Sequence, residues 1–461
     1  MEPNQEKNQP TYPASGPGLQ PAGHSSPQTP MSGFNDTPPK KRRWPLSRKW
    51  TIITVVLLLV VVFYAVVIML HKPQGGNSQD QTTLYINRPG FTHTDGVGDP
   101  LGLASKSAGQ VVQYGGQNVV QACALLSVED VRAAGFKIDP DQLTTSVTQT
   151  FFDGVGPAPY ASDSVESSFY LPDPDITNNC EYHLMNREYA QVIVYQPNYI
   201  KMNVVASEIS RTSTPLPDMG SVKVFQNTKA PSGIPNDNDY YLQAPTATAS
   251  VRFETADSTS RDKALKSIAA HLEQAAATPT PARVFTFNSP IFTGSTLDPC
   301  TLNDNVLFKA IQGQDSGPLV KQWVSTVVGV DDIGGKSYNV VANDCDRRSS
   351  SYSVITSKSV RVATQTFETE EGAKAEYYFE RNTSPTTSNA KDITPTIGDQ
   401  SFYADSTASE DNTLVIRKGR AILHINYYVP GTDKQLSADQ RIKVMTDPVR
   451  TMIETKLKDF K

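Results

Sequence analysis

Six histidines stand at positions 24, 71, 93, 183, 271 and 424, none within five residues of another. A zinc hydrolase places two imidazoles one helical turn apart, as H-x-x-x-H or H-E-x-x-H, and that spacing is absent from the sequence. Cys123, Cys180, Cys300 and Cys345 are the four cysteines, with no C-x-x-C among them. A zinc ribbon and a dithiol redox motif are therefore both disfavoured. No G-x-S-x-G nucleophile elbow occurs. Ser260-Arg261-Asp262-Lys263 has the S-x-x-K spacing of serine–lysine nucleophiles, yet it falls where a helix begins, so a capping role is expected. His424 lies between Leu423 and Ile425 in a strand-like run and faces away from both, which predicts a structural role. The expectation is of no catalytic, cofactor-binding or metal-ligating residue, and of a chain that is not an enzyme.

Carboxylates recur as Asp173, Asp175, Asp237, Asp239, Asp331, Asp332, Asp344 and Asp346. Asp237-Asn238-Asp239 lacks the central glycine and closing glutamate of a calcium loop, and turn formation is the expected role. Gly96-Val97-Gly98-Asp99-Pro100 reads as a turn, because the third glycine of a phosphate loop is missing. Tyr240-Tyr241, Tyr377-Tyr378-Phe379 and Tyr427-Tyr428 are the aromatic clusters that could serve a protein or glycan contact, and core packing on alternating faces is the favoured expectation. Asn382-Thr383-Ser384 is an acceptor sequon in a glycosylating host.

The elements that would position these residues begin with a membrane anchor. Residues 1–45 hold ten of the 33 prolines and almost no aliphatic side chains. Such a segment cannot offset its ordering entropy and reads as a disordered tail. Thr51–Leu70 follows as 20 residues without charge, Gly or Pro. As a helix it is about 30 Å long, the thickness of a bilayer core. Lys40, Lys41, Arg42, Arg43, Arg48 and Lys49 precede it, and Lys72 alone follows closely. The positive-inside rule puts the N-terminus in the cytoplasm and the C-terminal region outside the plasma membrane. The first 50 residues carry net +4, leaving −9 for residues 71–461. That charge opposes nucleic-acid binding. The expected partners are the lipid bilayer, through residues 51–70, and an envelope protein or glycan.

Outside, residues 71–115 read as a stalk with some extended segments, followed by one pattern written twice. Cys123 precedes a helical stretch at Val128–Phe136, and Cys300 precedes one at Asp304–Ile311, with Ser127 and Asn303 placed as N-caps. Cys180 and Cys345 come later in each copy. Strand runs are expected at Ala190–Tyr195, Ile200–Ala206 and Val222–Phe225, and in the second copy at Tyr352–Thr356 and Val360–Phe367. Each copy closes on a strand and a helix: Ser250–Glu254 then Ser260–Ala276, and Ala421–Val429 then Ser437–Leu457. Leu414–Arg417 and Ala421–Tyr428 read as a hairpin around Lys418-Gly419, and Glu370–Glu380 as an extra helix. Thr278-Pro279-Thr280-Pro281-Ala282 reads as a spacer. The fold class is α+β: two tandem related domains, 116–277 and 284–461, each a mainly antiparallel sheet with flanking helices. An oxidising exterior favours disulfides, and the duplication selects Cys123–Cys180 and Cys300–Cys345 from the three possible pairings.

Asp298-Pro299-Cys300-Thr301-Leu302, then Ile397-Gly398-Asp399-Gln400-Ser401-Phe402-Tyr403, then Leu414-Val415-Ile416-Arg417-Lys418-Gly419 follow an order that resembles uncharacterised envelope lipoproteins of actinobacteria. The resemblance covers residues 297–461. It implies an ectodomain with a paired Cys and a PsbP-like α/β/α sandwich, and no catalytic residues. The chain lacks that family's lipid-modified Cys and has the apolar span instead. The functional expectation is a non-enzymatic binding protein of the bacterial cell envelope. A sensor ectodomain acting through a recruited cytoplasmic partner and an envelope hydrolase stand as alternatives.

Overall fold

The computed structural model describes residues 102–138, 146–153, 177–200, 202–228, 238–255, 257–278, 280–287, 296–325, 340–349, 357–383, 390–404, 413–430 and 436–461. The tail, the apolar span 51–70 and residues 71–101 of the stalk lie outside the described residues. So do Tyr352–Thr356, Asp173, Asp175, Asp237, Asp331 and Asp332. No described helix is long and apolar enough to cross a membrane. The described residues belong to a single compact α+β unit.

In chain order the first half comprises β1 (Leu103–Ser107), β2 (Gln113–Tyr114), β3 (Gln117–Asn118), the helical turn α1 (Ala122–Leu125), α2 (Val128–Ala134), β4 (Val147–Phe152), β5 (Asn179–Leu184), β6 (Glu188–Tyr195), α3 (Met202–Thr212), β7 (Ser213–Met219), β8 (Val222–Asn227), β9 (Asp239–Gln243), β10 (Thr248–Glu254) and α4 (Ser258–Ala277). The second comprises β11 (Arg283–Phe287), the helical turn α5 (Pro299–Leu302), α6 (Asn305–Gln312), β12 (Leu319–Ser325), β13 (Val340–Arg348), β14 (Ser359–Phe367), α7 (Glu370–Thr383), β15 (Lys391–Asp392), β16 (Gln400–Ala404), β17 (Thr413–Lys418), β18 (Ala421–Tyr428) and α8 (Ala438–Lys456). Apart from the small β2–β3 hairpin, the two halves have the same element order.

They also share one sheet. Among the described residues fourteen antiparallel strands run in the order β15-β16-β17-β18-β14-β13-β12-β4-β5-β6-β10-β9-β8-β7. Read outward from the β12–β4 junction, both halves follow the same path: three strands in sequence, then the last strand, then the remaining three in reverse. The register agrees as well. One side-chain row passes through Leu414, Ile425, Val362, Cys345 and Gln322 in the second half. It continues through Gln149, Cys180, Val192, Val251 and Tyr240 in the first. Gln149 and Gln322 are direct partners on the local two-fold axis, and β1 pairs with β11 beside it.

This row lies on the face that the longer helices cover. Cys180, Val192 and Val251 pack with Leu125, Val131, Ile268 and Leu272. Val362, Ile425 and Leu414 pack with Phe308, Met445, Val449 and Ile453. Cys123 is bonded to Cys180 and Cys300 to Cys345, with Cα atoms 5.0 and 5.2 Å apart. Each bond ties a helical turn to a strand of the sheet, and closing loops of 57 and 45 residues constrains the unfolded chain by about 4 kcal/mol apiece.

Four local expectations change. The strand expected at Ile200–Ala206 is the start of α3, whose buried residues Val205, Ile209 and Thr212 have helical spacing. The short apolar alternation before them fits either period. Asn303 is not the cap of α6. Asp304 is, accepting from the Leu307 N–H at 2.9 Å, where its charge also suits the positive helix end. Asn303 is instead buried and donates to the carbonyls of Cys345 and Val360 at 3.0 and 2.7 Å. The hairpin turn is Gly419-Arg420, one residue later than expected, since Lys418 pairs with Ala421 and Gly419 has φ +55°. Finally, the ends of the supposed spacer and stalk are docked. Thr280 Oγ1 accepts from the Gln121 N–H at 3.0 Å, the Ala108 N–H donates to the Ala282 carbonyl at 2.9 Å, and Leu103 is fully buried.

Candidate functional site

The opposite face of the sheet is covered only at two corners by described helices. α3 lays Val205 and Ile209 on Ile193, Tyr195 and Tyr241, beside Phe152. α7 lays Ala373 and Tyr377 on Phe367, Phe402, Val415 and Ile422, beside Val340. Phe152 stands opposite Leu319, at the start of β12, whereas Val340 lies past Ser325, at its end. The two helices therefore occupy diagonally opposite corners, and a polar strip crosses the two-fold axis between them.

Alternation sets the chemistry of the strip. In β12 the covered face takes Val320, Gln322 and Val324, and the strip takes Lys321 and Trp323. The Lys321 Nζ lies 4.9 Å and the Arg361 guanidinium carbon 5.5 Å from the Trp323 ring centroid. Arg361 Nε donates to Asp344 Oδ2 at 2.7 Å. In the other half the Arg252 guanidinium lies 5.4 Å from the Tyr189 ring and pairs with Asp239 at 3.5 Å and Glu254 at 3.1 Å. Gln191 Nε2 donates to Glu181 Oε2 at 2.8 Å, and His183 Nε2 lies 3.1 Å from Glu181 Oε1. Burial, only partly opposed by Arg252, pushes the Tyr189 hydroxyl well above its ordinary pKa, so it stays a hydrogen-bond donor. Each half thus contributes a ring, a guanidinium and a carboxylate to an accessible surface.

His424 sits at the border of this strip, under α7, with Nε2 2.8 and 3.0 Å from the two Glu380 oxygens. Burial works against the imidazolium, but the Glu380 carboxylate outweighs it and holds the His424 pKa above its ordinary value. Burial alone would raise Glu380, yet His424 and a hydrogen bond from Glu376 hold it low. The pair fastens α7 to β18. His271 Nδ1 faces the Leu125 carbonyl at 3.1 Å, with Asp130 at 3.7 Å.

Ser260 lies in the first turn of α4, but the cap is Asp257, whose carboxylate accepts from the Thr259 and Ser260 N–H groups and from Ser260 Oγ. Of the aromatic clusters, Tyr240, Tyr241, Tyr377 and Tyr427 are buried, and Tyr378 and Phe379 are 45% and 49% exposed. Asp344 and Asp346 are taken by Arg361 and Arg348. Among the described residues no group of His, Cys, Asp or Glu is placed to hold a metal ion. Sequence reasoning missed the strip itself. Its centre is formed by β4, β12 and β13, whose alternation has polar residues on both faces. The available signal was the single tryptophan beyond residue 50, flanked at two-residue spacing by Lys321 and Ser325.

Comparison with protein-family models, with curated proteins and with solved structures finds no match to this chain.

Proposed function

We propose that this chain is a non-enzymatic binding protein of the bacterial cell envelope. In this reading residues 51–70 anchor it in the plasma membrane, the tail is cytoplasmic and the folded body stands outside. The observation that carries the reading is the polar strip: an accessible sheet face spanning both halves, with Trp323 and Tyr189 each beside a cation. Large amphipathic rings next to guanidinium groups are the side chains that contribute most to recognition surfaces. The sequence supplies the rest of the support, through the uncharged 20-residue run and the basic residues before it. The matched order and register of the two halves favour tandem duplication of one module, and the two bonded cysteine pairs suit an oxidising exterior. The kinship of residues 297–461 with actinobacterial envelope lipoproteins belongs to the same proposal. The test is a photo-crosslinking residue placed at Thr148 or Gln191 in the full chain in intact cells. The reading expects adducts that are missing when the probe is at Lys309, on the opposite face. Absence of adducts from every strip position refutes it.

A further inference from the structure

We infer that the strip seats a linear glycan without net charge, laid between α3 and α7 across both halves. This rests on the binding reading above and adds the ligand class. Four observations lead to it. The first is length. Arg361 on β14 and Arg252 on β10 are six strand spacings apart, roughly 29 Å at ~4.8 Å per strand. That suits a chain and is too long for one compact small molecule.

The second is charge. Lys321, Arg361, Arg348 and Arg252 face Asp344, Asp346, Glu181, Asp239 and Glu254, and all three arginines are paired within the strip. A polyanion would meet these carboxylates on a body that is already acidic, and a polycation would meet the four cations. The third is that the strip is a sheet face, so its backbone groups are spent in the strand ladder. An extended peptide gains affinity from ladder hydrogen bonds at a sheet edge, and the strip provides none.

The fourth is repetition. Trp323–Arg361–Asp344 and Tyr189–Arg252–Asp239 combine the same chemistry on opposite sides of the axis. They do so at positions that the register does not make equivalent, so inheritance from a shared module does not account for the recurrence. A repeating ligand does. Sugar rings offer C–H faces to aromatic rings, and their paired hydroxyls suit planar guanidinium, carboxylate and amide groups.

The test uses the full-length protein in detergent with neutral hexasaccharides: chitohexaose, cellohexaose and mannohexaose. A hyaluronan hexasaccharide is the charged comparator. The full chain holds Trp44, Trp50 and Trp323, so the strip is reported by the ligand-dependent fluorescence change that the Trp323 variant lacks, and calorimetry gives affinity. The expected result is saturable binding of at least one neutral oligomer. Trp323→Ala and Arg252→Ala should each weaken it at least about tenfold, as loss of a central anchor does, and Lys309→Ala should leave it unchanged. Thermal melts of each variant check folding, and Arg252 is surface-exposed, so its variant keeps the test valid if Trp323→Ala misfolds. Failure of all three oligomers, equal affinity in folded variants, or tighter binding of the charged comparator overturns the inference. If the oligomers fail while strip crosslinks in cells identify a protein, the glycan inference falls and the binding reading stands. If both fail, both fall.

Discussion

Gln149 and Gln322 meet where the two halves join, and a double-mutant cycle on them tests whether the halves form one cooperative body. Gln149 Nε2 donates to Gln322 Oε1 at 2.6 Å and to the Arg283 carbonyl at 3.1 Å. Gln322 Nε2 donates to Asp298 Oδ1 at 3.2 Å. The two residues are 2% and 3% exposed, so neither amide has water to fall back on. Gln322→Met removes two hydrogen bonds of about 1 kcal/mol each and leaves part of the Gln149 amide uncompensated, for a cost of about 2–3 kcal/mol. Gln149→Met loses a similar amount, because the Gln322 carbonyl is then orphaned. In the double variant two flexible thioethers face each other and neither orphan remains. Its cost should be about 3 kcal/mol, well short of the additive 4–6, giving a coupling near 2 kcal/mol. Urea unfolding of the oxidised full chain, followed by far-ultraviolet circular dichroism, measures all four corners of the cycle. Every variant should unfold in one transition with an unchanged slope. Additivity within about 0.5 kcal/mol, or two transitions of which only one responds, would refute the reasoning, since the halves would then be independent domains that merely touch.

The His424–Glu380 pair predicts a pH dependence of stability. Because the folded pKa of His424 is raised, its contribution is complete below the unfolded value near 6.5 and is lost as pH rises through the folded value. Glu380 is depressed, so its contribution is present above the unfolded value near 4.3 and is lost as pH falls through the folded one. Hydrogen-exchange protection across α7, corrected for the intrinsic exchange rate at each pH, should be greatest between these limits, and His424→Gln should remove the alkaline loss. Persistence of that loss in the variant would exclude His424 as its source. At the hairpin turn, Gly419 has φ +55°, and a Cβ there would overlap the backbone of Lys461. Gly419→Ala should cost at least about 1 kcal/mol in chemical unfolding, and deleting Lys461 should recover part of it. Full stability of the single variant would mean that the C-terminus does not pack against the turn.

Local signals made much of the fold legible. Ser127 before Val128 specifies a cap by residue chemistry alone, Gly419 marks the hairpin to within one residue, and the repeated pattern pairs the cysteines as they are bonded. The central strands were opaque because their polar residues defeat simple alternation. β4 has Thr148 and Thr150 on one face but Gln149 on the other, and β12 sets Gln322 between Val320 and Val324. A glutamine on a buried face reads as solvent-facing until its partner is known. That partner is the same residue of the other half, 173 positions away.

The shared register also separates what packing dictates from what it leaves free. On the covered face four of the five equivalent pairs in this row hold like residues, Gln322 and Gln149, Cys345 and Cys180, Val362 and Val192, Ile425 and Val251, and only the outermost, Leu414 and Tyr240, differ in size. One position over, on the strip side, the equivalents are unlike: Trp323 and Thr150, Arg361 and Gln191, His424 and Ser250, Asn426 and Arg252. Fully buried positions must fill a fixed volume, and changing even one methylene there is felt. Most of these strip-side positions are only partly buried and carry less of that constraint, although Thr150 is buried and His424 lies under α7, so the two halves could diverge without unfolding the sheet. Low overall likeness between the halves therefore coexists with an unchanged architecture. The same argument explains why a sequence that reveals its disulfides and caps conceals its polar strip. The strip is assembled from residues whose identities the fold does not dictate, and only the strand register brings Trp323, Arg361 and Asp344 together from three separate strands.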